Sequence, residues 1–252
     1  MAEHSRTPTR GQQFLEALRP LADWLVLPSL VPIYTWPDAT GAKPAQTGTG
    51  FLINHRDRPL LVTATHCLYG HKYDESPFKK YIVLGGRLSQ LAELQTKEII
   101  RDPHNDLTIL YVDDLGLERC LPVACLSPSE TTCKAITVVG FLTRDFRRSL
   151  SEGRLSPQPF LFHFERAAYD PGYVCVRFHK SRNREAKTGA LVQAPRPEGL
   201  SGGPMLDTRM LGTGEVVIVG LFTDYVQSKG LAYGETSQKV IDHLTKLEGL
   251  RP

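Results

Sequence analysis

Nine short apolar runs, separated by proline and glycine, are the feature that most constrains the fold of this 252-residue chain. They are Leu30–Trp36, Gly50–Ile53, Leu60–Ala64, Tyr81–Leu84, Leu107–Val112, Ala135–Gly140, Phe160–Phe164, Tyr173–Phe178 and Val216–Phe222. Many short strands at fairly even spacing predict an antiparallel barrel or sandwich. The long helical patterns of a doubly wound parallel sheet are missing between the runs. The sequence therefore predicts an all-β fold.

The two ends of the sequence carry helical patterns instead. From Gln12 to Leu27, apolar residues recur at three- and four-residue spacing, and Pro20 is expected to divide the segment into two short helices. We interpret this extension, residues 1–29, as helix packed on the main domain; the alternative is a docking or regulatory segment for a partner. A second apolar stripe begins at the N-cap Ser237 and ends at Gly249. Residues 88–97 fit a short helix or a loop equally well.

Charge and composition exclude several classes of function. The formal net charge of +3, from 30 basic and 27 acidic residues, is too small for a dedicated nucleic-acid binder. Residues 179–187 form one basic run, which we interpret as a solvated loop, with a docking patch for an acidic substrate or partner as the alternative. Five cysteines without a CxxC pair do not match a zinc site, and we expect reduced, mostly buried thiols. The sequence therefore predicts no metal and no cofactor.

The N-terminal residues bear on location. Residues 1–13 are polar and lack the apolar core and cleavage site of a secretory signal. The sequence has no stretch of about 18 apolar residues, which a membrane-spanning helix requires. These observations predict a cytoplasmic protein without a membrane partner.

A serine between glycines is the strongest chemical signal. In Glu198–Pro204, with the sequence EGLSGGP, the glycines that surround Ser201 permit backbone conformations that other residues avoid. Such a turn can direct backbone N–H groups at one point, as an oxyanion hole requires. A serine becomes a good nucleophile only with a base within hydrogen-bond reach and a group that orients the base.

Two further segments offer that base and that orienting group. His66 directly follows the apolar, β-branched run that ends at Ala64, so it lies at a strand end. Asp106 opens the apolar strand Leu107–Val112, where a half-buried carboxylate would fix the imidazole tautomer and stabilise the imidazolium. Each residue alone is more typical of a structural role, as a strand-end histidine or a turn-forming aspartate. The order His66, Asp106, Ser201 makes the three together far more specific.

The three segments resemble the catalytic motifs of trypsin- and chymotrypsin-like serine proteases. The matching sequences are TATHC around His66, DLTIL from Asp106 and GLSGGP around Ser201, and the separations of 40 and 95 residues are also similar. Gly48–Ile53 resembles the strand that leads to the histidine, and Ile218–Thr223 the strand that pairs with substrate. The resemblance covers roughly residues 30–250. It implies a catalytic triad of His66, Asp106 and Ser201, with the N–H groups of Gly199 and Ser201 as the oxyanion hole.

The same resemblance implies the architecture and the partners. It implies two packed six-stranded antiparallel barrels within residues 30–252, divided near residues 125–135, with the triad in the cleft between them. It also implies a protein or peptide substrate. Substrate-binding residues carried over by the resemblance are Pro195, Thr223, Asp224 and Tyr225. Because Pro195 falls where trypsin-like members place an acid, a preference for basic substrates is not supported at that position.

Two departures separate the sequence from secreted family members. Cys67 follows His66, but the strand that would supply its disulfide partner has Gly48 there, in agreement with a reducing compartment. Leu200 replaces the aspartate that pairs with a newly cut N-terminus in digestive and clotting enzymes, so activation by that route is not expected. The bacterial HtrA-like branch is the closer comparison, although no PDZ-like region follows.

Two other interpretations stay open. Gly199–Gly203 also matches G-x-S-x-G, the nucleophile elbow of α/β-hydrolase esterases. That fold needs an acid and then a histidine after the serine, and the only histidine after Ser201 is His243, adjacent to Asp242 in a predicted helix. The other interpretation is a catalytically silent binding module that retains a protease fold, because a fold does not guarantee activity.

Overall fold

The computed structural model describes residues 18, 20, 22–36, 43–84, 87–127, 133–144, 159–167, 172–178, 183–184 and 191–249. These residues form two curled antiparallel sheets that follow one another along the chain. The N-terminal sheet contains β1 Leu30–Thr35, β2 Ala45–His55, β3 Arg58–Ala64, β4 Lys80–Leu84, β5 Arg87–Gln90, β6 Thr96–Asp102, β7 Leu107–Val112 and β8 Leu121–Pro122. The C-terminal sheet contains β9 Ala135–Phe141, β10 Pro159–Glu165, β11 Tyr173–Arg177, β14 Pro204–Asp207, β15 Ile218–Val226 and β16 Leu231–Thr236. A separate pair consists of β12 Asn183–Arg184 and β13 Leu191–Val192.

The N-terminal sheet runs in the order β5-β4-β1-β2-β3-β7-β6, and β8 adds to β2 as a parallel strand. Its β2–β3 hairpin turns at Arg56 and Asp57, both in the left-handed region with φ of 54° and 57°. Two consecutive left-handed residues suit a tight hairpin because their twist matches that of the strands. Strand β7 is buried at every position, so the loop that precedes it is fixed to a rigid element.

The C-terminal sheet runs in the order β10-β9-β14-β15-β16-β11. Its two outer strands meet at an antiparallel bridge between Arg166, just after β10, and Val176 in β11. The Ala167 N–H donates to the Cys175 carbonyl at 2.9 Å and strengthens this closure. The sheet is therefore curled into a barrel that joins at one end.

A single hydrophobic layer joins the two sheets. Phe51, Val62 and Ile109 of the N-terminal sheet belong to the same buried cluster as Val139 and Leu221 of the C-terminal sheet. Burial of apolar area at about 25 cal/mol per Å² drives the two sheets together. Each sheet also has its own buried cluster on the side away from this layer. The chain thus packs as two sheets with a shared core, and a cleft opens along the edge of their contact.

Short helices connect and cap the sheets. Apart from the helical residues near the N-terminus, the α-helices whose bounds lie within the described residues are Thr65–Tyr69, Thr208–Gly212 and Ser237–Gly249, and the 3-10 helices are Leu27–Ser29, Pro77–Lys79, Leu91–Leu94, Leu117–Arg119, Val123–Cys125 and Gln227–Lys229. Asp207 caps Thr208–Gly212 by accepting the N–H groups of Arg209 and Met210 at 2.8 and 3.3 Å. No helix in the described ranges is long and apolar enough to cross a membrane.

The predicted all-β architecture with helical ends is confirmed. The N-terminal sheet has eight strands rather than six, because segment 88–97 contributes to both β5 and β6 and the two-residue strand β8 adds to β2. The predicted C-terminal helix is confirmed at Ser237–Gly249. Strand β15 runs from Ile218 to Val226, beyond the end of the predicted run at Phe222. Antiparallel pairing throughout both main sheets, apart from β8, shows that the α/β-hydrolase alternative is wrong.

The N-terminal extension is described only in part. Residues 18, 20 and 22–25 are helical, so helix is present on both sides of Pro20. Leu18, Ala22 and Val26 are fully buried in the layer shared by the two sheets. This burial agrees with a helix packed on the main domain. The domain boundary at residue 29 and the division near residues 125–135 stay predictions. Most of the basic run 179–187 lies outside the described residues.

Candidate active site

A cleft of about 610 Å³ lies between the two sheets and brings together the three predicted catalytic side chains. His66 and Asp106 line it from the N-terminal sheet, and Ser201 lines it from the C-terminal sheet. Residues 40 and 95 positions apart in the sequence therefore meet at one place. This juxtaposition depends on the docking of the sheets, because neither sheet contains all three residues.

His66 lies in the short helix Thr65–Tyr69, which begins directly after the buried strand β3. The helix lasts little more than one turn, since Gly70 ends it with φ of 71° and donates its N–H to the His66 carbonyl at 2.9 Å. The imidazole of His66 is only 13% exposed. The strand end and the glycine stop together fix the position of His66.

Asp106 ends the loop between β6 and β7 in the left-handed conformation, with φ of 46°. Aspartate tolerates this region better than most residues. One carboxylate oxygen accepts the His66 backbone N–H at 3.0 Å, and the other accepts His66 Nδ1–H at 2.7 Å. The Asp106 carbonyl also accepts the Thr65 N–H at 3.1 Å. The carboxylate thus accepts hydrogen bonds from both the backbone and the ring of His66. Because Nδ1 carries the proton in this pair, Nε2 is the basic nitrogen of the neutral ring.

The environment of His66 changes its basicity. Burial lowers the pKa of the imidazole, but the hydrogen bond to Asp106, assisted by the Cys67 sulfur and the charge of Asp106, raises it more. The net pKa of His66 is therefore above its ordinary value. This is the direction expected where an aspartate stabilises an imidazolium.

The turn that carries Ser201 needs its glycines. Gly199 and Gly202 have φ of 94° and 86°, a region that L-residues rarely adopt. A side chain at Gly202 would place its Cβ 1.9 Å from the Thr49 carbonyl oxygen of strand β2. The serine turn therefore lies against the backbone of the N-terminal sheet.

Contacts across the sheets hold this turn. The Thr49 hydroxyl donates to the Gly199 carbonyl at 2.7 Å, and Gln46 Nε2 donates to the same oxygen at 3.3 Å. The Thr49 N–H donates to the Ser201 carbonyl at 2.8 Å, and Cys67 Sγ donates to it at 3.2 Å. Both peptide carbonyls are thereby fixed from the N-terminal side.

Two N–H groups in the turn have no acceptor among the described residues. Leu200, Gly202 and Gly203 donate their N–H groups to backbone carbonyls at 2.7–3.0 Å. Within the described part of the chain, the N–H groups of Gly199 and Ser201 have no such partner. Since backbone donors are normally paired, two free donors separated by one residue suit an external oxyanion.

The hydroxyl of Ser201 is hydrogen-bonded to a backbone carbonyl rather than to His66 in the described residues. Ser201 Oγ donates to the Thr223 carbonyl at 3.2 Å, and the described residues contain no hydrogen bond from it to His66. Catalytic hydrogen bonds are often long or poorly aligned before substrate binds. His66 and Asp106 are thus held together here, and Ser201 lines the same cleft with its hydroxyl donating to the Thr223 carbonyl.

The residues predicted to bind substrate fall in two places. Thr223, Asp224 and Tyr225 line the main cleft. Pro195 lies outside it, in a cavity of about 10 Å³ lined also by Phe178 and Tyr225. Tyr225 separates the two spaces, with its ring 4.6 Å from that of Phe178.

One backbone edge of the cleft has no strand partner within the described ranges of the chain. Pairing of β15 with β14 ends at Leu221, and pairing with β16 continues to Val226. No described strand therefore pairs with the side of residues 223–226 opposite β16, and the Thr223 carbonyl on this segment accepts the Ser201 hydroxyl. An extended peptide can add as a strand to such an edge.

Several site residues carried no signal in the sequence. His71 stacks on His66, with ring centroids 5.0 Å apart and planes 10° apart. Tyr73 lines the cleft, and burial together with the charge of Asp106 and hydrogen bonding to it raises the pKa of Tyr73. Both lie in a polar loop without a motif. Thr49 lies in the segment Gly48–Ile53, which resembles a family strand, but the resemblance assigns it no role of its own. Its position between two glycines, Gly48 and Gly50, is a usable signal of a close backbone contact.

The cysteines and potential metal ligands have simple arrangements. None of the five cysteines, all of which lie in the described residues, forms a disulfide, and Cys67, Cys133 and Cys175 are buried. A Cβ at Gly48 would lie 2.2 Å from Cys67 Sγ, so the position opposite Cys67 has no room for a side chain. The described residues contain no group of three or more histidine, cysteine, aspartate or glutamate side chains that would hold a metal ion.

Three solved structures with a similar fold come from proteases. The active form of the Rv3671c protease from M. tuberculosis superposes with a TM-score of 0.57 at 17% identity, over 100% of this chain and 96% of that chain. An inactive serine-to-alanine form of the same protein superposes with a TM-score of 0.55 at 16% identity, over 98% of this chain and 97% of that chain. The serine endoprotease from Yersinia pestis superposes with a TM-score of 0.56 at 15% identity, over 96% of this chain and 68% of that chain. At these identities the likeness shows the fold alone.

The comparison at the level of families is more specific. No curated protein matches the sequence. The family model of the trypsin-like peptidase domain matches residues 48–217, which is more than half of the chain and includes His66, Asp106 and Ser201. The chain therefore belongs to the trypsin-like peptidase domain family.

Proposed function

We propose that the protein is a serine endopeptidase that hydrolyses peptide bonds through Ser201, His66 and Asp106 and an acyl-enzyme intermediate. The observation that carries the proposal is the pair of hydrogen bonds that Asp106 accepts from His66, at 3.0 Å from the backbone N–H and 2.7 Å from Nδ1. The hydrogen bond at Nδ1 leaves Nε2 as the basic nitrogen of His66, and His66 and Ser201 line the same cleft. Membership of a peptidase family supports the same conclusion.

The first half of the reaction follows from these positions. Ser201 Oγ leaves its acceptor, the Thr223 carbonyl, gives its proton to His66 Nε2 and attacks the substrate carbonyl carbon. The carbonyl oxygen gains the negative charge and accepts the N–H groups of Gly199 and Ser201. The imidazolium formed on His66 is stabilised by Asp106, which stays ionised.

The second half reverses the proton movement. His66 gives its proton to the leaving amine as the peptide C–N bond breaks, which leaves an ester on Ser201. Water then gives a proton to His66 and attacks the ester carbonyl. The C–O bond to Ser201 breaks, the acid product leaves, and Oγ regains its proton.

The open edge of β15 supports an extended peptide as substrate. The edge starts at Thr223 and places bound backbone beside Ser201. Main-chain hydrogen bonds would align such a peptide with little dependence on its sequence. Asp224 and Tyr225 would contact its side chains. We further propose that the protein acts on protein or peptide substrates and that it does so in the cytoplasm. The binding of a regulatory partner by residues 1–29 stays an expectation.

One observation favours a second candidate, a silent binding module. The Ser201 hydroxyl is hydrogen-bonded to Thr223 rather than to His66, so the nucleophile is not activated in this arrangement. Substrate or a partner would have to change its rotamer. Without that change the cleft would bind peptides along β15 and leave them intact.

Labelling with a fluorophosphonate probe tests the proposal, with Ser201→Ala and His66→Ala beside the wild type. We expect labelling of the wild type, none of Ser201→Ala, and a loss of about a millionfold in turnover for either variant. Ser127→Ala, outside the cleft, is the matched control for serine loss. Equal labelling of wild type and His66→Ala would contradict the proposal. No labelling of the wild type with retained peptide binding would establish the binding module.

A further inference from the structure

The loop that carries Asp106 is held from outside its own sheet. Residues 103–106 join β6 to β7 in the N-terminal sheet. Asp102 ends β6, and Asn105 directly precedes Asp106. Both are hydrogen-bonded to side chains of the helix Ser237–Gly249, which follows strand β16 of the other sheet.

Lys239 and His243 supply these contacts. They lie four residues apart, so both project from the same face of the helix. Lys239 Nζ donates to Asn105 Oδ1 at 2.8 Å, and His243 Nε2 donates to Asp102 Oδ2 at 3.1 Å. The loop residues are also tied to each other, because the Asn105 N–H and Nδ2 donate to the two carboxylate oxygens of Asp102 at 3.1 and 2.6 Å.

Groups of the C-terminal sheet anchor Lys239 in turn. Its ammonium forms an ion pair with Glu235, whose side chain is 5% exposed, and lies 4.8 Å from the ring centre of Tyr173. Glu235 and Tyr173 are paired neighbours in strands β16 and β11. A buried, charge-assisted arrangement of this kind resists displacement, because breaking one contact leaves a buried charge without its partner.

The charge state of Asp102 supports the same connection. Burial would raise the pKa of Asp102, but hydrogen bonds from Asn105 and His243 lower it below its ordinary value. The carboxylate is therefore ionised at neutral pH and accepts from both sheets.

We propose that Glu235, Lys239 and His243 form a polar latch that positions the Asp106 loop, and with it His66, against the sheet that carries Ser201. This inference rests on the proposed function. None of the latch residues lines the described cleft, so they act as positioning residues through Asn105 and Asp102. The latch matters because His66 and Ser201 belong to different sheets, and the separation of base and nucleophile depends on how the sheets dock.

The variant Lys239→Ala tests the latch, with Lys239→Arg as the conservative replacement. Lys246→Ala, at an exposed position on the same helix, is the matched control. Two quantities are measured: the rate of fluorophosphonate labelling of Ser201, and the pKa of His66 from NMR titration of its imidazole nitrogens. We expect Lys239→Ala to slow labelling by about ten- to a hundredfold, since small misplacements are costly. We also expect its His66 pKa to fall towards the ordinary value, because the contact with Asp106 loosens.

The two readouts separate the possible outcomes. Lys239→Arg should retain most of the labelling rate, and Lys246→Ala should match the wild type. A lower melting temperature for Lys239→Ala, with an unchanged labelling rate and an unchanged His66 pKa, would show a merely structural role and overturn the latch. An unlabelled wild type, with a His66 pKa that falls only in Lys239→Ala, would reject the proposed function and retain the latch. If Lys239→Ala does not fold, Lys239→Gln is measured in its place, with the same expected directions.

Discussion

The two sheets hold their shares of the site by different means. The N-terminal sheet fixes His66 with one carboxylate, through contacts of 2.7 and 3.0 Å that both lie within that sheet. The C-terminal sheet holds Ser201 in a glycine turn, and the carbonyls of that turn accept hydrogen bonds from Thr49, Gln46 and Cys67 of the opposite sheet. His66 is thus positioned by a charged partner from its own sheet, whereas Ser201 depends on backbone shape supported from the other.

This difference predicts different responses to substitution. Changes to the charge pair should alter the chemistry and its pH dependence while the fold stays intact. Changes at the contact between the sheets should disturb the serine turn and its two N–H donors. Three substitutions test the contrast.

The largest expected effect is that of Asp106→Asn. Asparagine keeps the shape but favours the wrong imidazole tautomer, so kcat should fall by about 10⁴-fold with little change in melting temperature. The pKa of His66 is raised in the wild type, so the neutral base forms only as pH rises, and the rising limb of kcat/KM should lie above about pH 6.5. Asp106→Asn should move that limb to lower pH. Kinetics across pH measure both effects, and an unmoved limb would contradict a charge-based role.

An intermediate effect is expected for Thr49→Val. The change removes the donor to the Gly199 carbonyl and the acceptor of the Phe141 N–H, both across the contact between the sheets. We expect a loss of about tenfold in kcat with KM nearly unchanged, because the oxyanion donors lose their alignment. A loss of about 1–3 kcal/mol in unfolding free energy should accompany it.

The control for Thr49→Val is Thr137→Val. Thr137 is equally buried and hydrogen-bonds to Thr208 and His163 within the C-terminal half. It should lose similar stability but keep its kcat. Equal kinetic losses in the two variants would show that the turn does not depend on the opposite sheet.

The smallest expected effect is that of Tyr73→Phe. The Tyr73 hydroxyl interacts with Asp106, but that carboxylate already has two contacts with His66. We therefore expect kcat/KM to fall by only about two- to threefold. Tyr81→Phe, on strand β4 and away from the cleft, is the control for loss of a phenol hydroxyl. A fall of a hundredfold would show that the base is not held by Asp106 alone.

Local patterns explain why so much of the fold was predictable. Short apolar runs specify strands because alternate side chains must be buried, and a stripe after Ser237 specifies an amphipathic helix. The same information failed for segment 88–97, where strand and 3-10 helix alternate within a few residues. It also failed for the end of β15, since Thr223–Val226 is stabilised by pairing with β16 rather than by its own hydrophobicity.

The sequence by itself determined the all-β architecture, the helical C-terminus and the three candidate residues His66, Asp106 and Ser201. Those features depend on residue types at short range and on motifs that keep their order along the chain. Tertiary structure alone decided the support of the serine turn by Thr49, the stacking of His71 on His66, and the contacts of Lys239 and His243 with the Asp106 loop. The physical reason is that these contacts join residues distant in sequence, whose distances and angles are set only when the two sheets dock around their shared core.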